Sequence, residues 1–201
     1  MDTEKKTEWF LRGNWAPLSE EKELNDLKVD GSIPTELDGI YVRTGPNPKD
    51  GKGSHWFLGD GMVHGIRLKK GKAEWYRNRF VQTPDITEPL TDPMAGLGDL
   101  RRGKGNTHVV AHNEQIMCLE EAHWPWTINA DLETTGVLNY EGKLDCSMTA
   151  HPKICPITGE LLAFSYFSFE QPYLKYIRVS ADGKLQQVEG IELPEMVMMH
   201  D

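Results

Sequence analysis

Short β-rich runs, separated every few positions by Gly, Pro, Asn or Asp, recur along the chain and constrain its fold more than any other feature. The turns between them carry residue types that tolerate positive φ, as tight hairpins require. Many short strands at regular intervals predict an all-β sandwich, barrel or propeller. The predicted strands are residues 65–69 and 73–79, 107–111 and 115–119, 161–167, and 173–179 and 185–191.

Two segments depart from this pattern. Residues 19–27 predict a short helix, because Ser19 can cap it ahead of three glutamates. Residues 83–105 are rich in Pro and Gly and have little strand signal. A stretch of this length predicts a long excursion from the scaffold, and such excursions usually carry function or are mobile. No repeat of the WD or kelch type is present, so periodicity alone does not select a propeller.

Composition excludes several classes of protein. Hydrophobic residues make up 38% of the chain, which is enough for a core and too many for a disordered chain. The net charge of −9 and the absence of a basic block interleaved with aromatics argue against a nucleic-acid partner. Three cysteines without CxxC spacing argue for a reducing compartment and against disulfides or a thiolate zinc site.

The sequence predicts a cytoplasmic location. The first ten residues are charged and lack the apolar region of a signal peptide. No stretch approaches the roughly 18 consecutive apolar residues of a spanning helix. Loops that dip into lipid leave no clear sequence signal, so peripheral membrane contact stays open.

An ordered series of short motifs identifies the family. The motifs are GNWAP (13–17), GSIP (31–34), ELDG (36–39), YVRTGPNP (41–48), WFLGDGMVH (56–64), YRNRFV (76–81), NT (106–107), TAHPK (149–153) and MMHD (198–201). Each motif is weak alone, but the ordered set covers nearly all of the chain. It resembles the carotenoid oxygenase family, which includes carotenoid and apocarotenoid cleavage dioxygenases, stilbene-cleaving dioxygenases and the retinal pigment epithelium isomerase.

The resemblance implies a seven-bladed β-propeller that carries one ferrous iron on its axis, held by four histidines from different blades. The expected fold is therefore all-β, a partial seven-bladed β-propeller with the first blades only. Residues 1–201 are expected to be the N-terminal part of a single domain whose remainder is absent. We expect fewer than three blades, and we expect the 201 residues to be inactive alone because an open propeller exposes strand edges.

Two family ligand positions fall in this chain. His151 of the TAHPK motif matches the first, and His200 of the MMHD motif matches the second. Their separation of 49 residues (200 − 151) is close to the roughly 40–50 residues of one blade. In the family, glutamates accept a hydrogen bond from ligating histidines, and Glu121 matches one such position. We therefore predict an Fe(2+) site on His151 and His200, with Glu121 behind it to orient His200.

The remaining five histidines are expected to have other roles. His55 and His112 lie beside predicted turns and should be exposed. His64 and His108 alternate with apolar neighbours and should be core residues or lie just behind the site. His123 lies where substrate contacts could occur.

The function that the resemblance implies is that of a non-haem iron(II) dioxygenase. Such an enzyme cleaves a conjugated carbon–carbon double bond of a carotenoid or apocarotenoid with O2 and gives two carbonyl products. The expected partners are an apolar conjugated small molecule and O2. Aromatic side chains usually line such a tunnel, although core packing is the commoner role for any one of them. The tunnel candidates are Phe80, Trp124, Trp126, Phe167 and Phe169.

Four other functions stay open. Stilbene-type dioxygenases such as the lignostilbene-cleaving enzymes carry a lysine near the position of Glu120, so this carboxylate favours a carotenoid or apocarotenoid. A non-catalytic carotenoid- or retinoid-binding protein would keep the scaffold without the chemistry. An isomerase would use the same iron without incorporating O2. A lactonase-type propeller hydrolase would need a carboxylate cluster, whereas the motifs carry histidines.

Overall fold

The computed structural model describes residues 8–200, so the first seven residues and Asp201, which belong to the predicted domain, lie outside it. The described chain forms twelve strands in three four-stranded antiparallel sheets. Sheet 1 has the order β1-β4-β3-β2, and its strands are β1 (Glu23–Asn25), β2 (Gly39–Pro46), β3 (Gly61–Lys69) and β4 (Lys72–Phe80).

The other two sheets are simple meanders, in which each strand pairs with the next one along the chain. Sheet 2 contains β5 (His108–His112), β6 (Gln115–Leu119), β7 (Trp126–Ile128) and β8 (Thr134–Val137). Sheet 3 contains β9 (Lys153–Ile154), β10 (Leu161–Ser165), β11 (Leu174–Val179) and β12 (Leu185–Ile191). The helical segments are α1 (Pro84–Thr87) and the 3-10 turns Trp9–Leu11, Gly13–Trp15, Trp56–Leu58, Pro93–Gly96 and Leu100–Arg102.

The predicted hairpins are confirmed, and their turns explain why they form. Lys70 and Gly71 join β3 to β4 with φ of 46° and 76°. Asn113 and Glu114 join β5 to β6 with φ of 46° and 61°. Two consecutive positive φ values give a turn whose twist matches that of the flanking strands.

The predicted helix over residues 19–27 is wrong, because part of this segment forms β1 at the outer edge of sheet 1. Its backbone is held by the neighbouring strand: the Lys22 amide donates to Asn78 Oδ1 at 2.6 Å. Arg77 on β4 also forms an ion pair with Glu23 at 3.0 Å. A helix of nine mostly polar residues is marginal on its own, so pairing with an existing strand is the more stable outcome.

Two buried clusters hold the three sheets together, and β6 contributes to both. Successive side chains of a strand point to opposite faces, so Cys118 lies in the cluster shared with sheet 1 while Met117 and Leu119 lie in the cluster shared with sheet 3. The middle sheet is thus buried on both faces, as a propeller blade is between its neighbours. The three four-stranded sheets are three blades, so the expectation of fewer than three is wrong. Two of their strands, β1 and β9, are too short to stand out in the sequence.

The excursion over residues 83–105 contains only short helical turns in the described chain, as predicted. Ion pairs within the excursion hold it together, and one further pair attaches it to Asp60, immediately before β3. Lys104 Nζ lies 3.1 Å from Asp60 Oδ1 and 3.0 Å from Asp85 Oδ2. Arg102 Nη1 reaches Asp85 Oδ1 at 2.9 Å. Among the described residues, no helix has the length and apolar character needed to cross a bilayer.

His64 on β3 is half-buried, and its Nδ1 lies 2.8 Å from the Tyr76 hydroxyl. Burial, with the charge of Arg43 as the lesser cause, lowers the pKa of His64 to about 4. Because an unfolded histidine has a pKa of about 6.5, the unfolded chain binds this proton first. We therefore expect stability to fall as the pH drops from about 6.5 towards 4.

The measurement is the urea midpoint at pH 7.5 and pH 5.0. His64→Gln should lose less stability across this interval than the unsubstituted chain. The exposed His55, changed to Gln, serves as the control and should behave like the unsubstituted chain. If the urea midpoint of His64→Gln fell as much between pH 7.5 and pH 5.0 as that of the unsubstituted chain, the assignment to His64 would be contradicted.

Candidate metal centre

Three side chains from separate segments converge at one point. Glu121 follows β6, His151 precedes β9, and His200 follows β12. Glu121 Oε1 lies 3.3 Å from His151 Nε2 and 3.6 Å from His200 Nε2. The three potential ligand atoms all lie within 4.8 Å of one another. The loops at the ends of sheets 2 and 3 therefore bring together residues 79 positions apart in the chain (200 − 121).

The cluster lies at the boundary between protein and solvent. The side chain of Glu121 is 17% exposed, that of His151 is 28% exposed and that of His200 is 52% exposed. The two imidazole rings meet edge to face, with centroids 4.8 Å apart and planes at 62°. One carboxylate and one imidazole are thus held mostly by protein, while the second imidazole remains accessible.

Thr149 connects His151 to Glu121. Its side chain is buried, and its Oγ1 donates to Glu121 Oε2 at 3.2 Å. The same oxygen accepts the His151 backbone N–H at 3.2 Å. The Thr149 amide donates to the Phe164 carbonyl of β10 at 2.8 Å. The turn that carries His151 is therefore fixed to sheet 3 and to the Glu121 carboxylate.

His108 approaches the same turn from sheet 2. Its Nδ1 lies 2.8 Å from the Ala150 carbonyl oxygen. Its ring lies nearly parallel to that of His151, with centroids 5.8 Å apart and planes at 21°. His108 thus lies behind the site, which is one of the two positions expected for it, whereas Thr149 was not singled out and its only signal was its place in the TAHPK motif.

The donor set fits a ferrous ion. Glu121 Oε1 is buried and accepts no hydrogen bond within the described chain, although it faces two imidazoles. A buried carboxylate oxygen without a hydrogen bond is costly unless a cation compensates it. Imidazole is a common ligand of iron(II), and two imidazoles leave other coordination positions open.

Glu121 contacts both histidines, whereas the predicted role concerned His200 alone. Its carboxylate is 0.3 Å closer to the imidazole of His151 than to that of His200 (3.6 − 3.3). In each case the contacting atom is Nε2. A single carboxylate therefore contacts both histidines. That Glu121 orients His200 stays a prediction.

The tunnel candidates occupy different environments. Phe80 and Trp126 are buried, and Trp126 belongs to the core cluster between sheets 1 and 2. Trp124 packs against the cluster between sheets 2 and 3. Phe167 is 43% exposed and Phe169 is 79% exposed. The lining of a substrate tunnel by these residues stays a prediction.

Two other histidines are held by hydrogen bonds. His112 is buried under a turn of sheet 3. Its Nε2 donates to the carbonyl of Gly159 in that turn at 3.0 Å. The expectation that it is exposed is wrong. His123 bonds to the Glu120 carboxylate three residues earlier, and that carboxylate also accepts the Ala122 amide at 3.0 Å.

Comparisons with known proteins give the family. A sequence profile described as retinal pigment epithelial membrane protein matches residues 15–201. A carotenoid 9,10(9',10')-cleavage dioxygenase 1 from Arabidopsis thaliana is 37% identical, with 96% of this chain and 42% of the relative covered. A carotenoid cleavage oxygenase from Mycobacterium tuberculosis is 40% identical, with 95% of this chain and 40% of the relative covered. The chain thus spans about two fifths of the length of these curated relatives.

A comparison with solved structures gives a similar result for the fold. The crystal structure of a lignostilbene dioxygenase from Pseudomonas brassicacearum superimposes with a TM-score of 0.82 at 32% identity, with 96% of this chain and 44% of that chain covered. The arrangement of three stacked four-stranded sheets is therefore the one expected for part of a seven-bladed propeller. Because the family profile covers nearly the whole chain, the chain belongs to the retinal pigment epithelial membrane protein family of carotenoid oxygenases.

Proposed function

We propose that this chain supplies two histidine ligands, His151 and His200, to the iron(II) site of a carotenoid-cleavage-type dioxygenase. The observation that carries the proposal is their convergence on Glu121 with all three ligand atoms within 4.8 Å. When bound, the ferrous iron would activate O2 for addition across a conjugated carbon–carbon double bond, which breaks to give two carbonyl products. The chain's own residues supply the ligands and fix their orientation.

Glu121 would orient the imidazoles and offset the charge of the ion. Changing Glu121 to Gln keeps an oxygen in place but removes the charge. We expect iron(II) affinity to fall by about 10–100-fold, because that is the usual cost of losing a carboxylate partner of a ligating histidine. Anaerobic titration with iron(II) measures it.

The neighbouring Glu120, changed to Gln, is the matched control. Its carboxylate bonds to the Ala122 amide and to His123. This control variant should bind iron(II) as the unsubstituted chain does. Unchanged affinity in the Glu121→Gln variant would remove the proposed role.

The proposed substrate is a carotenoid or apocarotenoid. Two relatives named as carotenoid-cleaving enzymes share 37% and 40% of aligned residues with this chain. The Glu120 carboxylate also supports this choice, because it is negatively charged and held by its own loop, so it offers no cation to a phenolate. A second candidate is stilbene cleavage, which the similarity to a lignostilbene dioxygenase favours.

A cleavage assay separates the candidates. The protein encoded by the complete reading frame that contains these 201 residues is loaded with iron(II) and given 18O2 with an apocarotenoid or with resveratrol. Labelled aldehydes from the apocarotenoid, lost in the His151→Ala variant, are the expected result. Labelled products from resveratrol alone would establish the second candidate. Tight retention of apocarotenoid without O2 uptake would instead indicate a carrier.

We also propose a cytoplasmic protein with peripheral membrane contact. The three cysteines are free thiols, as in reducing compartments. On the excursion, Leu90, Met94 and Leu97 are exposed by 39%, 68% and 75%. Exposed apolar side chains of this kind can enter the lipid interface, from which an apolar substrate is extracted. Co-sedimentation with phosphatidylcholine vesicles tests the contact, and recovery of all protein in the supernatant would contradict it.

A further inference from the structure

His108 on β5 forms a hydrogen bond with the backbone of residue 150, 42 positions further along the chain. A carbonyl oxygen can only accept, so His108 Nδ1 carries the proton and donates it to Ala150 at 2.8 Å. In the neutral ring this fixes the tautomer. The bond crosses from sheet 2 to the turn in front of sheet 3.

The residues that receive these contacts adjoin the metal cluster. Ala150 is fully buried, so its carbonyl has no access to solvent that could replace the bond. The His108 ring also covers one face of His151 in a nearly parallel arrangement. Within the same turn, Thr149 accepts the His151 amide and donates to the Glu121 carboxylate. The His151 turn is therefore clamped between β5 and the loop after β6.

We propose that His108 is a positioning residue that sets the orientation of the His151 imidazole, an inference that rests on the proposed iron site. His108 is not among the three residues whose ligand atoms lie within 4.8 Å of one another, so it acts on the site through His151. Fixed orientation matters because ordering a ligating side chain when the metal binds lowers the affinity of the site for the metal.

The chain offers a matched control on the same strand. His112 stands at the other end of β5 and also donates a ring N–H to a backbone carbonyl, that of Gly159, away from the cluster. His108→Phe and His112→Phe each keep an aromatic ring and remove one hydrogen bond of the same type. His108→Asn restores a donor, because the asparagine amide nitrogen occupies the place of Nδ1.

Two measurements test the proposal. In the metal-free chain, exchange of the His151 amide, which donates to Thr149 Oγ1, should become about tenfold faster in His108→Phe and stay unchanged in His112→Phe. In the iron-loaded chain, His108→Phe should weaken iron(II) binding by about tenfold or more. His112→Phe should bind as the unsubstituted chain does, and His108→Asn should recover most of the lost affinity. Urea midpoints check that the two Phe variants are comparably stable.

Equal effects of the two Phe variants on both measurements would overturn the proposal. The same two measurements distinguish failure of the proposed iron site from failure of the proposed role of His108. If the unsubstituted chain binds no iron(II) but His108→Phe alone accelerates exchange of the His151 amide, the proposed function fails while the positioning role stands. If iron(II) binds and His151→Ala abolishes binding, but the Phe variants match each other, only the role of His108 fails.

Discussion

Replacing His151 with alanine is expected to weaken iron(II) binding by at least about 100-fold. The loss of a group that only orients a ligand costs about 10–100-fold, and the loss of a ligand should exceed that range. His151 is also the better buried of the two imidazoles, since its side chain is 28% exposed against 52% for His200. Its removal leaves the Glu121 carboxylate and the more exposed imidazole of His200. Anaerobic titration with iron(II), followed by metal analysis of the desalted protein, measures the effect.

His55→Ala is the control for that loss. His55 is exposed and accepts the Phe57 amide at 3.2 Å in the loop between β2 and β3, outside the cluster. This variant should retain one iron per chain with unchanged affinity. If His55→Ala and His151→Ala bind iron(II) alike, the metal is held elsewhere and the assignment of His151 is wrong.

Ile177→Ala is expected to lower the free energy of unfolding by about 2–5 kcal/mol. Ile177 on β11 is fully buried in the cluster between sheets 2 and 3. Truncation removes three carbons from a packed interior and leaves a cavity that the rigid sheets can only partly close. Because the same cluster includes Ala150, this packing also supports the turn that carries His151. Urea unfolding followed by tryptophan fluorescence gives the change.

The same substitution at Ile157 is a matched control. Ile157 lies in the turn between β9 and β10 and is 92% exposed. Its truncation should change the free energy of unfolding by no more than about 0.5 kcal/mol. A similar loss for both variants would show that the cluster between sheets 2 and 3 does not stabilise the fold as described.

The hairpins were predictable because their signals are local. The Lys70-Gly71 and Asn113-Glu114 turns specify both the strand direction and the register beside them. The strands β1 and β9 were not predictable in this way, because three and two residues carry no period and exist only through pairing with longer neighbours. The failed helix at residues 19–27 has the same cause, since local capping signals were overridden by pairing with β4.

The candidate site was predictable only through motifs. His151, His200 and Glu121 could be named from the ordered family series, but nothing in their spacing indicates that one carboxylate faces both imidazoles. His108 and Thr149 act through contacts between sheets, which depend on how the sheets stack. A single sequence records the residue types of such contacts and not their partners.

X-ray absorption at the iron K-edge tests the central claim, that His151 and His200 hold one iron together. The chain is loaded anaerobically with one equivalent of iron(II), alongside the single and double alanine variants of the two histidines. We predict imidazole scattering in the unsubstituted chain, a reduced contribution in each single variant and its loss in the double variant. An imidazole signal of unchanged strength in the double variant would contradict the account.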